Sequence, residues 1–95
     1  MRVAGLISGT SADGIDVAVV DIGERIEVVA AKTVPYPPEV RRAIVSVIDV
    51  AGVSRLNFLL GELFAEALRH TGVPLETIEL IGSHGQTIFH EGQPV

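Results

Sequence analysis

Residues 3–22 read VAGLISGTSADGIDVAVVDI, in which a polar loop joins two short apolar runs. The runs Val3–Ile7 and Ile15–Ile22 have the length and the β-branched content of strands. The loop Ser8–Asp16 is rich in glycine and hydroxyl residues, so its backbone N–H groups can converge on an anion such as a phosphate. Because an ordinary polar hairpin has a similar composition, this loop alone does not decide between the two interpretations.

A second polar segment, Gly82–Thr87 (GSHGQT), follows the apolar run Ile78–Ile81. If this run and Val3–Ile7 are strands of one sheet and point the same way, both polar segments open at the same sheet edge. They then face one cleft, which is where ligands bind in open α/β sheets. The second segment therefore supports a binding site rather than an isolated turn.

The spacing of the apolar runs predicts an α/β fold built on four strands. Short turns join Val3–Ile7, Ile15–Ile22 and Arg25–Val34, so these three form an antiparallel meander. Because Val3–Ile7 is continuously apolar, we expect it to be buried on both faces of the sheet. A fourth strand, Ile78–Gly82, follows a helical crossover and is expected to lie parallel to the first strand.

Two helices are predicted between the third and fourth strands. The prolines of Pro35–Pro38 end the sheet and can open a helix with an apolar face along Val40–Ile48. Ser54 is the expected N-cap of a second helix, whose apolar stripe runs along Leu56–Ala67. Gly72–Pro74 is expected to end that helix.

The composition restricts the classes of function. A net charge of −5 without a basic cluster argues against a nucleic-acid partner, and no apolar stretch approaches the roughly 20 residues that cross a bilayer. The chain has no cysteine, so it forms neither a disulfide nor a thiolate metal site, and a cytoplasmic location is the default. A hydrophobic content of 47% in 95 residues is high, and we expect an exposed apolar face that leads either to self-association into a homo-oligomer or to weak stability.

The two polar segments together resemble the anhydro-N-acetylmuramic acid kinases of bacterial cell-wall recycling. Gly9–Asp16 matches that family's Gly-Thr-Ser-x-Asp-Gly-x-Asp loop, and Gly82–Thr87 matches its Gly-Ser-His-Gly-Gln-Thr segment. The resemblance implies the actin, hexokinase and Hsp70 ATPase superfamily, with its ribonuclease H-like sheet. It also implies an ATP- and Mg²⁺-dependent kinase that opens the anhydro ring of its amino sugar and phosphorylates O6, which gives N-acetylmuramic acid 6-phosphate.

Proteins of that family are several times longer and have two lobes around a cleft. The resemblance therefore implies that residues 1–95 form the first part of an N-terminal lobe. It also implies that the catalytic base lies beyond Val95 and that the 95-residue chain alone is inactive. In many relatives in the superfamily an aspartate at the end of the first strand positions the magnesium ion, whereas Ser8 stands there in this chain.

The resemblance places the ATP contacts in the first loop, on Gly9, Thr10, Ser11, Ala12, Asp13, Gly14, Ile15 and Asp16. We place the sugar contacts on four polar residues of the second segment and just beyond it: His84, Gln86, Thr87 and His90. For His84 the alternatives are a structural hydrogen-bonding role and a general base, and for His90 the alternative is a solvated surface pair with Glu91. Asp13 either caps its own turn or holds magnesium through water, and Asp16 is expected to bond to the loop or lie near the metal. Gly14 is expected to supply a backbone conformation that other residues avoid.

Two other functions remain open on the sequence. A non-catalytic nucleotide-binding module of the actin or Hsp70 type would keep the first loop but has no use for the segment Gly82–Thr87. Another sugar or acid kinase of the same superfamily is the second alternative. The second segment therefore discriminates between the anhydro-sugar kinase and both alternatives.

Overall fold

A computed structural model describes residues 1–9, 11–47 and 49–88, which form a mixed α/β unit. Four strands make one sheet in the order β3-β2-β1-β4: β1 (Arg2–Ser8), β2 (Gly14–Ile22), β3 (Ile26–Pro35) and β4 (Leu80–Gln86). The first three strands are antiparallel neighbours, and β4 pairs parallel with β1. The predicted meander, followed by a parallel fourth strand next to the first, is confirmed.

Two helices connect β3 with β4 and cover one face of the sheet. They are α1 (Pro38–Ser46) and α2 (Val50–Arg69), and a short 3-10 turn, Leu75–Thr77, precedes β4. Pro38 opens α1 at its first turn, where a missing N–H costs nothing, as the sequence predicted. The predicted N-cap of α2 was wrong, because the helix begins at Val50 and Ser54 lies inside its first turns.

Asp49 is the actual N-cap of α2, and its carboxylate accepts a hydrogen bond of 2.6 Å from the Gly52 N–H. We expect Asp49→Ala to lower the free energy of unfolding by about 0.5–2 kcal/mol, since one N–H at the helix start loses its acceptor. Ser54→Ala is the matched control and should change stability by less than about 0.5 kcal/mol. Chemical denaturation of both variants measures the difference, and an equal loss in the two would contradict the assignment of the cap.

The hydrophobic core lies between one face of the sheet and the helices. Alternate residues of β1 and β2 point into it: Ala4, Leu6, Ile15, Val17 and Val19. The helices contribute Val40, Ile44, Leu56, Phe64, Ala67 and Leu68. The expectation that β1 is buried on both faces was wrong, because the helices cover only one face of the sheet in the described part of the chain.

The opposite face of the sheet is apolar and exposed. Ile7 on β1 is 42% exposed, Val28 on β3 is 68% exposed and Leu80 on β4 is 56% exposed. The expected exposed apolar face is therefore present, while self-association through it stays a prediction. Among the helices of the described residues, none is both long enough and apolar enough to cross a membrane.

An ion pair holds the register of β1 and β2 at the end of the sheet far from the first loop. Arg2 donates hydrogen bonds of 2.8 Å and 3.1 Å to the two carboxylate oxygens of Asp21, its partner in the ladder. This bidentate contact lowers the pKa of Asp21 below its ordinary value, mainly through the hydrogen bonds. The polar loop joins the same two strands at their opposite end.

Candidate functional site

The first polar loop leaves the carboxyl end of β1 and turns back into β2. The Ala12 N–H donates to the Gly9 carbonyl at 3.2 Å, which closes a tight turn. Ala12 adopts a positive φ of 53°, a conformation more typical of glycine, and is only 1% exposed. Ser11 and Asp13 are exposed on the outer side of the turn, whereas Thr10 lies outside the described residues.

Gly14 is required for a different reason than the sequence suggested. Gly14 does not adopt a positive φ. Among the described residues of the loop Gly9–Gly14, Ala12 is the one that does. A Cβ on Gly14 would lie 2.5 Å from the carbonyl oxygen of Val34 and 2.8 Å from the Cα of Pro35. The glycine is therefore needed so that the backbone of β3 can approach β2 closely at the base of the loop.

The second polar segment is mostly strand rather than loop. β4 begins at Leu80 and continues through Gln86, so Gly82–Gln86 pair with β1 instead of following the strand. The ladder is interrupted by a bulge, because Leu6 is opposite Ser83 whereas Ile7 is opposite Gly85. His84 is the extra residue, and Gly85 has a positive φ of 81° that glycine adopts without strain.

The two segments meet at one edge of the sheet, and this prediction is confirmed. The Ser8 hydroxyl donates a hydrogen bond to Oε1 of Gln86. The Gln86 amide nitrogen donates to the Gly9 carbonyl at 2.7 Å and to the Thr87 carbonyl at 2.8 Å. The Thr87 N–H in turn donates to the Ser8 carbonyl at 3.2 Å. The first loop is thus tied directly to the end of β4.

Arg41 on α1 holds the outer side of the same loop, which no sequence pattern indicated. Its Nε lies 3.3 Å from the Ser11 carbonyl oxygen and 3.3 Å from a carboxylate oxygen of Asp13. Both side chains are largely exposed, so the pair is weak in water. It nevertheless places a cation and an exposed carboxylate together beside the turn.

Tyr36 lies beneath the loop, and the sequence patterns did not predict its contact with the loop. Its N–H donates to the Asp13 carbonyl at 3.0 Å, and its ring belongs to the core. Its hydroxyl is buried close to that of Ser8 but makes no hydrogen bond of acceptable geometry among the described residues. Burial raises the pKa of Tyr36, and the neighbouring Ser8 hydroxyl offsets part of that shift.

Ile15 and Asp16 begin β2 directly after the loop, with their side chains on opposite faces of the sheet. The Asp16 carboxylate accepts a hydrogen bond of 2.7 Å from the Thr33 hydroxyl on β3, rather than one from the loop as the sequence suggested. It is opposite Ile7 in the ladder, on the face of the sheet that the helices do not cover. Ile15 is 1% exposed in the core, so only its backbone can reach a ligand.

The remaining candidate residues have no side-chain hydrogen bond among the described residues. His84 is exposed at the bulge, and Thr87 is partly buried where β4 ends. His90 lies outside the described residues, as Thr10 does. Both His84 and Thr87 are therefore near the edge where the two polar segments meet.

The described residues do not form a metal site by themselves, since no three His, Asp or Glu side chains cluster in residues 1–9, 11–47 and 49–88. In the loop itself Asp13 supplies an exposed carboxylate, and Asp16 supplies another where β2 begins. This donor set suits Mg²⁺ only when the ion arrives with a nucleotide, because Mg²⁺ then keeps its waters and needs one or two carboxylates.

An antiparallel meander, two helices and a parallel fourth strand, with a glycine- and hydroxyl-rich loop after β1, are consistent with a lobe of an actin-like ATPase. The model of the family described as anhydro-N-acetylmuramic acid kinase matches residues 1–95. The chain belongs to this family.

Curated relatives agree with the family match. The chain is 45% identical to the anhydro-N-acetylmuramic acid kinase of Caldanaerobacter subterraneus subsp. tengcongensis, an alignment that covers 93% of this chain and 26% of that protein. It is 41% identical to the protein of the same name from Bacillus cereus strain ATCC 10987, over 99% of this chain and 28% of the relative. The anhydro-N-acetylmuramic acid kinase from Trichormus variabilis is also 41% identical, over 94% of this chain and 25% of the relative. The chain thus spans about a quarter of the length of these relatives.

Proposed function

We propose that the complete protein containing this chain is an ATP-dependent kinase of 1,6-anhydro-N-acetylmuramic acid. In the proposed reaction a water oxygen bonds to C1 of the sugar and the bond from C1 to O6 breaks. O6 takes the γ-phosphoryl group of ATP, which yields N-acetylmuramic acid 6-phosphate and ADP. Residues 1–95 would be the first part of the N-terminal lobe of this two-lobed enzyme, and a cytoplasmic location follows from its use of ATP.

The observation that carries the proposal is the direct contact between the two motif segments. Gln86 and Thr87 of the second segment bond to Ser8 and Gly9 of the first, so both segments lie together at one edge of the sheet. A nucleotide-binding module without catalysis needs only the first loop. The presence of both segments, together with the family match over the whole chain, supports a kinase that holds a nucleotide and a sugar side by side.

The nucleotide phosphates would bind at the turn that follows β1. We assign phosphate contacts to the N–H groups of Gly9 and Ser11 and to the hydroxyl groups of Thr10 and Ser11. Asp13 would contact the hydrated Mg²⁺ of the nucleotide, and its carboxylate lies 3.3 Å from Arg41 at the loop edge. When bound, Mg²⁺ neutralises charge on the phosphates, while this chain orients them.

We assign sugar contacts to His84, Thr87 and His90, whose polar groups suit the hydroxyl and amide groups of an amino sugar. Gln86 differs from these three because both hydrogens of its amide already bond within the chain. The proposed reaction needs a carboxylate that activates water. In line with the family resemblance, we expect this catalytic base beyond residue 95.

The complete protein tests this function when it is incubated with ATP, Mg²⁺ and the anhydro sugar in ¹⁸O-labelled water. We expect equimolar ADP and sugar phosphate, with the label in the hydroxyl on C1 and no label in the phosphate. N-acetylmuramic acid, which lacks the anhydro bridge, is the control substrate. Phosphorylation of the control alone, or ADP release without a sugar phosphate, would contradict the proposal.

A further inference from the structure

We propose that Gln86 is a positioning residue that ties the phosphate-binding loop to β4, and not a ligand of the sugar. The inference rests on the proposed function in one respect, namely that the loop Gly9–Gly14 receives the nucleotide phosphates. We call the hydrogen bonds of Gln86 to Ser8, Gly9 and Thr87 the tie, and these bonds form within this chain without a ligand. If Gln86 positions the loop, its substitution affects nucleotide binding, whereas substitution of a residue in the sugar site would not.

The hydrogen bonds of Gln86 leave it little capacity for a ligand. A glutamine amide has two donor hydrogens and one acceptor oxygen. Both hydrogens are used, on the Gly9 carbonyl at 2.7 Å and the Thr87 carbonyl at 2.8 Å. The oxygen accepts from the hydroxyl of Ser8, a residue only 1% exposed. Because two of the three partners are carbonyls, which can only accept, the orientation of the amide is determined.

The bulge in β4 brings Gln86 to this position. Side chains alternate between the faces of a strand, so a shift of the register by one residue moves a side chain to the other face. In the unbroken register of β4, Gln86 would share the face of Gly82, away from Ser8. Because His84 is an extra residue and Gly85 has a positive φ, Gln86 instead lies on the same face as Ser8. It is also directly opposite Ser8 in the ladder.

The tie sets the direction of backbone groups that the nucleotide would need. The Ser8 carbonyl accepts the Thr87 N–H at 3.2 Å and therefore points toward β4. In a planar trans peptide the next N–H, that of Gly9, points the opposite way. Gln86 holds the Gly9 carbonyl in the same manner. Donors held in place before a ligand arrives cost less to order when it binds.

The test uses Gln86→Glu in the complete protein, a change that keeps size but puts a carboxylate oxygen against two carbonyl oxygens. We expect KM for ATP to rise about tenfold, as for a lost pair of hydrogen bonds, with KM for the sugar nearly unchanged. Lowering the pH protonates the new carboxyl, restores one donor and should reduce KM for ATP again in this variant alone. Ser54→Asp places the same negative charge on an exposed site of α2 and should leave both constants as they are.

Backbone amide exchange of the loop without nucleotide tests the tie independently of catalysis. We expect the peptide that contains Gly9–Gly14 to exchange faster in Gln86→Glu and in Gln86→Met, the uncharged variant of similar length that is used if the first fails to fold. Unchanged exchange, with a raised KM for the sugar, would overturn the proposal and make Gln86 a sugar ligand. If the parent protein shows no kinase activity, the proposed function fails, and faster exchange still upholds the tie.

Discussion

The 95-residue chain alone, mixed with ATP, Mg²⁺ and 1,6-anhydro-N-acetylmuramic acid, is expected to release no ADP above background, while the complete protein turns over. The two carboxylates at this edge already have partners within the chain: Asp13 pairs with Arg41, and Asp16 accepts a hydrogen bond from Thr33 on the uncovered face. Loss of a general base costs about 10²–10⁴ in rate. The proposed second lobe would supply orientation, which contributes roughly 7–11 kcal/mol in favourable cases.

A coupled assay for ADP on both proteins measures this difference. Far-ultraviolet circular dichroism of the short chain is the control, since it shows whether the sheet and helices are formed under the assay conditions. Turnover by a folded 95-residue chain would contradict the proposal that the catalytic base lies outside this chain. His84 and Asp16 would then become the candidate bases within this chain.

The second large effect is expected at Gly14. Gly14→Ala should lower the free energy of unfolding by about 1–3 kcal/mol, because the new methyl group would overlap backbone atoms of β3. The carbonyl oxygen of Val34 and the Cα of Pro35 lie 2.5 Å and 2.8 Å from the position that the new Cβ would take. Backbone atoms in a paired strand cannot move aside as the end of a flexible side chain can, so β3 must shift away from β2.

Gly5→Ala is the matched control in the centre of the same sheet. Gly5 also lies in a paired strand, but a Cβ there meets no atom within 4 Å and its φ is not positive. We expect the control to change stability by less than about 0.5 kcal/mol. Urea denaturation of the two variants compares them, and an equal loss in both would show that the close approach of β3 is not what requires Gly14.

Local patterns in the sequence were sufficient to predict the architecture. Short turns force neighbouring strands to be antiparallel, and a helical crossover makes β4 parallel to β1. The same reasoning predicted that both polar segments open at one edge, and the contact between Gln86 and Gly9 confirms it. These properties follow from chain connectivity and the alternation of apolar residues, which a sequence displays directly.

Only the tertiary structure decided how individual residues are used. The bulge at His84 changes the face on which Gln86 lies, and strand periodicity in the sequence contains no sign of that shift. The close approach of β3 at Gly14, the contact of Arg41 with the loop and the burial of Tyr36 each depend on residues distant in the chain. Side-chain roles at this edge are therefore set by long-range packing, whereas the fold that creates the edge is encoded locally.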